Sequence, residues 1–125
     1  MRYTLFLNYG EPAEGQISDE DMAAAQTAFA EYAAALDGAG VLRSADVLQS
    51  TTATTTVTSR DGVLDRRDGP AIDTPEPVSG VFIIDVPDAD AAASWAGRAP
   101  SVSWGTVEVR PSALVWDREH GWHQS

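Results

Sequence analysis

Two short stretches limit what this chain can become. Residues 2–9 and 80–86 carry apolar or β-prone side chains on both of the faces that an extended backbone presents. In the first, Tyr3, Leu5, Leu7 and Tyr9 share one face while Thr4, Phe6 and Asn8 share the other. The second, Gly80-Val81-Phe82-Ile83-Ile84-Asp85-Val86, shows no alternation at all. Both faces of such strands have to be covered.

The helices available for that cover are few. Ser18 is a good N-cap, followed by Asp19, Glu20 and Asp21, carboxylates that suit the positive end of the helix dipole. Met22, Ala25, Phe29, Ala33 and Leu36 then recur at steps of three or four, which makes one apolar stripe. Gly38 or Gly40 supplies the left-handed residue that ends it. Pro87-Asp88 opens a second, alanine-rich helix with Asp88 as cap, ending near Pro100.

Between and after the helices the reading is extended. Residues 41–49 read as a strand, and the threonine-rich 51–59 favours one because its side chains branch at Cβ. Asp61-Gly62 is a hairpin signal between Thr56-Val57-Thr58 and Val63-Leu64-Asp65. Residues 68–79 hold Pro70, Pro75 and Pro77 and form a shaped loop, as the polar 10–15 does. Residues 104–110 are a last strand.

The order β-α-β, hairpin, β-α-β describes a ferredoxin-like α+β domain with a mostly antiparallel sheet. That domain is assigned to residues 1–111. Residues 112–125 form a C-terminal extension, with an edge strand over 113–116 and a polar tail beyond. Two helices cover one face of such a sheet, so the other needs a second cover. A second copy packed sheet to sheet, as a homodimer, is the economical answer, and a monomer with a capped face is the alternative.

Composition excludes several functions. There is no cysteine, which removes disulfides and thiolate metal sites and suits a reducing cytoplasm. A net charge of −11 repels phosphate backbones and anionic lipid, arguing against nucleic-acid or membrane-surface partners. No apolar run approaches a membrane span, and the first residues are too short an apolar block for a signal peptide. All eight basic residues are arginine and alanine is abundant, a bias typical of GC-rich bacterial coding. There is no P-loop, GxGxxG, HExxH or GxSxG, and no cofactor is expected.

Several separated blocks carry a resemblance. Asp68-Gly69-Pro70, Asp73-Thr74, Glu76 and the run from Gly80 to Val86 resemble the YCII-related proteins of the DGPF type. The strand opening at Tyr3, Gly40-Val41-Leu42, and Val107-Glu108-Val109-Arg110-Pro111 fit the same pattern in the same order. The resemblance covers about residues 1–111 and implies a ferredoxin-like fold that dimerises into an α+β barrel. Some relatives are linked to lyase or isomerase chemistry on small ring compounds, and others accompany sigma factors. Ala71 stands where the DGPF type has phenylalanine, and Pro75 where a lysine precedes Glu76. The histidine proposed as catalytic in the YCII branch has no counterpart in the first helix, so a mechanism resting on it does not transfer.

The residues that can carry chemistry each have a plainer reading. Asp68 is a candidate acid or base, or the first residue of a tight turn completed by Gly69 and Pro70. Glu108 and Arg110 are two apart on one strand and share a face, as a ligand-polarising pair or a self-neutralising ion pair. Asp85 is a buried acid or a cap at the strand exit. Tyr3, Tyr9, Phe82 and Trp104 wall a pocket for a flat ligand or simply fill the core. His120 and His123 have i, i+3 spacing but lie in the polar tail, so no metal site is assigned.

Two functions follow. One is a dimeric small-molecule binder or enzyme, with Asp68 and Glu108 as catalytic residues and Tyr3, Phe82, Asp85, Trp104 and Arg110 at the ligand. Its chemistry would be cofactor-free proton transfer of the lyase or isomerase type. The other is a non-catalytic regulatory or partner-binding module associated with transcription.

Overall fold

A computed structural model describes residues 1–13 and 15–125. Glu14, inside the loop expected over 10–15, lies outside the described residues. The elements follow as β1 (Arg2–Tyr9), α1 (Asp19–Gly38), β2 (Leu42–Val47), β3 (Thr55–Arg60), β4 (Val63–Asp68), β5 (Val78–Asp85), α2 (Ala89–Ala96) and β6 (Gly105–Pro111). Two short strands, β7 (Val115–Asp117) and β8 (Gly121–His123), close the chain.

The main sheet has the order β2-β5-β1-β6, with every neighbouring pair antiparallel. With α1 and α2 this is the ferredoxin-like βαββαβ arrangement expected. The two strands that are apolar on both faces, β1 and β5, take the two central positions.

Local chemistry sets the element ends. The Ser18 hydroxyl accepts from Asp21 N at 3.0 Å, and the Asp88 carboxylate accepts from Ala91 N at 2.8 Å. Gly40, at φ 74°, donates to the Asp37 carbonyl and turns the chain out of α1. Asp61 and Gly62 both have positive φ, 52° and 76°, the two left-handed residues that a type I′ hairpin turn requires.

Both helices lie on one face of the sheet. There Tyr3, Leu5, Leu7, Phe82 and Ile84 pack with Tyr32, Leu36, Ala92 and Ala96 into one buried cluster. Each fully buried leucine or isoleucine contributes about 1.5–3 kcal/mol. Phe29, Ala33 and Leu36 of the expected stripe point into this core, whereas Met22 is 43% exposed at the first turns of the helix. Tyr32, outside that stripe, is 5% exposed and donates its hydroxyl to the Trp95 carbonyl at 2.8 Å, tying α1 to α2.

Two hairpins stand apart from the main sheet. β3 and β4 pair only with each other, as do β7 and β8. The C-terminal residues therefore do not extend the main sheet as an edge strand followed by a tail. Gly121, at φ 65°, begins a return strand that sets Trp122 against Trp116 and His123 against Val115. The hairpin is held near the sheet by Arg2, whose amide donates to Ser125 Oγ and whose carbonyl accepts from Ser112 N.

Candidate functional site on the uncovered sheet face

The alternation of β1 and β5 turns half of their side chains away from the helices. Across the four strands these residues fall into rows fixed by the register. One row runs Asp46, Val81, Phe6, Glu108; the next runs Ser44, Ile83, Thr4, Arg110; a third pairs Asp85 with Arg2. Phe6, Val81 and Ile83 are only partly buried, in contrast to their neighbours on the helix side. The centre of this face is thus apolar, with charged residues on the edge strands and at one end.

Glu108 and Arg110 share this face, as their spacing predicts, and both are exposed. They do not form the self-neutralising ion pair, since the ion pairs among the described residues lie elsewhere. Asp85 lies at the β5 exit, where it faces the Met1 ammonium at 3.1 Å and Arg43 at 3.7 Å. Its side chain is 36% exposed, so it is a partly solvated anchor and not a buried acid.

The aromatic residues divide. Tyr3 and Phe82, expected at the wall of a pocket, are 3% and 2% exposed on the helix side, because their register positions share a face with Leu5 and Leu7. Phe82 packs on Tyr32 with ring centroids 5.3 Å apart. Trp104, 49% exposed, meets Tyr9 edge-on at 6.4 Å, at the end of the sheet where β6 begins.

Asp68 ends β4 opposite Thr55, exposed, on a different sheet from Glu108 and Arg110. Gly69, not the Asp68 side chain, supplies the contacts of the turn that follows. Gly69 takes φ 102°, its amide donates to the Thr54 carbonyl at 2.9 Å, and its carbonyl accepts from Thr56 Oγ1. The loop then returns past β1, where the Pro77 carbonyl accepts from Tyr9 N, and reaches the uncovered face through Glu76. The Glu76 carboxylate accepts from Thr106 Oγ1 at 3.1 Å, one face position along β6 from Glu108. The proline-rich motif loop therefore contributes a second carboxylate to the β6 border, a role that no local sequence signal gives.

Two further polar clusters lie away from this face. Glu11 accepts from Thr51 N at 2.6 Å, Ser50 Oγ at 3.0 Å and Thr51 Oγ1 at 3.1 Å, fastening the loop after β1 to the β2–β3 connection. The Thr51 amide bond holds its carboxyl below the usual range, more than burial and the two hydroxyls alter it. Asp117 is bracketed by His120 Nδ1 at 3.1 Å and His123 Nε2 at 3.3 Å. The His120 backbone amide is the chief cause of its lowered pKa. Among the described residues no group of three or more His, Cys, Asp or Glu side chains is placed to hold a metal ion, and no helix is long and apolar enough to cross a membrane.

An α+β sandwich with one naked sheet face, bordered by carboxylates and arginines, defines the class of molecule. The sequence model of the YCII-related domain matches residues 1–114, and the chain belongs to that family. No curated relative matches it.

Proposed function

We propose that the protein binds a small molecule on its uncovered sheet face, in a chamber closed by a second copy of the chain, in the cytoplasm. The observation that carries this reading is the Phe6, Val81 and Ile83 patch, central to the sheet and only partly buried between Glu108, Arg110 and Asp46. A patch of this kind at the middle of a sheet is an interaction surface, and closed two-fold pairing is the commonest way to cover one.

Within that chamber Glu108 is the proton-transfer group. As a carboxylate it takes a proton from a carbon beside the ligand's carbonyl. It then returns that proton at another position, giving isomerisation, or keeps it while a leaving group departs with its electron pair, giving elimination. Carboxylates do this at neutral pH where water is kept away from them, and the second copy is what excludes it. Arg110 polarises the ligand oxygen that gathers charge. No cofactor is needed for either reaction.

The test is native mass spectrometry of protein purified from its own host without denaturation, followed by Glu108→Gln. A dimer with a reproducible small adduct, lost in Glu108→Gln while the melt is unchanged, supports the reading. A monomer, or a chain recovered with a stoichiometric protein partner in place of its own copy, contradicts it and favours the regulatory alternative.

A further inference from the structure

The uncovered face holds two arginines that no carboxylate answers. Arg2 of β1 pairs with Asp85, and Arg110 of β6 stands opposite Thr4, two residues further along β1. They are therefore diagonal neighbours on one face, with Cα atoms roughly 7–8 Å apart. Neither forms an ion pair among the described residues. That is notable in a chain with 19 acidic side chains and eight arginines, where carboxylates outnumber cations more than two to one.

The acids nearest in register do not pair with them. Asp85 faces the Met1 ammonium and Arg43, although Arg2 is its cross-strand partner. Glu108, two residues from Arg110 on the same face, makes no ion pair with it. In addition, Arg2 Nε is buried without a hydrogen-bond partner. Withdrawing a charged donor from water and leaving it unbonded is costly, and an anion is the group that offsets this.

We propose that Arg2 and Arg110 form an anion-binding subsite. It receives the carboxylate or phosphate of a ligand whose flat apolar body lies over Thr4, Ile83 and Phe6 toward Glu108. Guanidinium forks suit such groups because two parallel N–H donors match two anionic oxygens. The inference rests on the chamber proposed above and adds the chemical class of its ligand.

Isothermal titration of the intact protein with benzoate, phenyl phosphate and benzamide tests it, with sedimentation of the same samples. At least one anion is expected to bind, and benzamide, of the same shape but uncharged, is not. Arg110→Gln is exposed in the single chain and cannot fail through loss of the core; it should weaken anion binding about tenfold, the value of one charge-assisted hydrogen bond. Arg2→Gln should do the same, and Arg66→Gln on β4 should change nothing. Benzoate binding alone assigns a carboxylate ligand, and phenyl phosphate binding alone a phosphate one. The subsite is overturned if neither anion binds at millimolar concentration, or if Arg110→Gln binds as tightly as the parent. A monomer that binds anions through both arginines would keep the subsite and overturn the chamber.

Discussion

Phe6 stands directly opposite Glu108 across the β1–β6 ladder, on the sheet face turned away from both helices. The pairing holds an aromatic ring and a carboxylate side by side on adjacent strands, where the proposed ligand would lie. Rigid placement is what proton transfer needs, because a misplacement of about 1 Å can cost 100-fold in rate.

Gly105 sets the start of β6. A Cβ there would lie 2.7 Å from Tyr9 Cβ and against the Asn8 backbone carbonyl, so β1 and β6 would have to part. Gly105→Ala is expected to destabilise the protein by about 1–3 kcal/mol and to lower turnover through Glu108. Thermal melts compared with Gly97→Ala, where the closest approach is an ordinary 3.6 Å, check it.

Leu36 is fully buried against the sheet. Leu36→Ala should cost about 2–5 kcal/mol. Tyr32→Phe removes one hydroxyl bond to Trp95 and should cost about 1 kcal/mol. Burial, partly opposed by Arg98, pushes the Tyr32 hydroxyl up to about 12, so in an ultraviolet titration its phenol should stay un-ionised at about pH 10, where free tyrosine ionises.

Glu11 and Asp117 have lowered pKa values in the folded chain. For a depressed carboxylate, the stabilisation is present above the unfolded pKa and disappears as pH falls through the folded one. Melting temperature should therefore fall as pH drops below about 4.5, and Glu11→Gln should flatten part of that slope. The effect is small because both groups are solvent-exposed. Melts of parent and variant across this range decide it.

Asp68 is proposed to shape the motif loop that brings Glu76 to Thr106. Asp68→Asn keeps the size and shape of an exposed side chain and should leave both the melt and turnover nearly unchanged. Gly69→Ala, at φ 102°, strains the loop and should impair turnover. If Asp68→Asn alone abolished turnover with the fold intact, Asp68 itself would be the proton carrier.

What could be read from the sequence is what local chemistry decides. Ser18, Asp88 and the Asp61-Gly62 pair state their roles within three or four residues, and the two faces of β1 follow from its period of two. The spacing of Glu108 and Arg110 placed them together for the same reason. Relationships across the chain were not legible. Arg2 meets the row of Arg110 only through the β1–β6 register, and Glu76 reaches Thr106 only because the proline loop returns beside β1. Tyr3 and Phe82 show the limit on aromatics: composition marks them as large and apolar, but only sheet order tells core from pocket wall. The last hairpin is not legible locally, because Asp117 and its two histidines support a turn that has no strong turn dipeptide.

The central claim is that the face carrying Phe6, Val81 and Ile83 is closed by a second copy, and sedimentation equilibrium of the parent and Phe6→Glu tests it most directly. A dimeric parent and a folded, monomeric Phe6→Glu variant are the expected result, since a charge placed in the middle of the patch faces its own copy across the two-fold axis. A monomeric parent, or a Phe6→Glu variant that dimerises as tightly as the parent, would contradict the account.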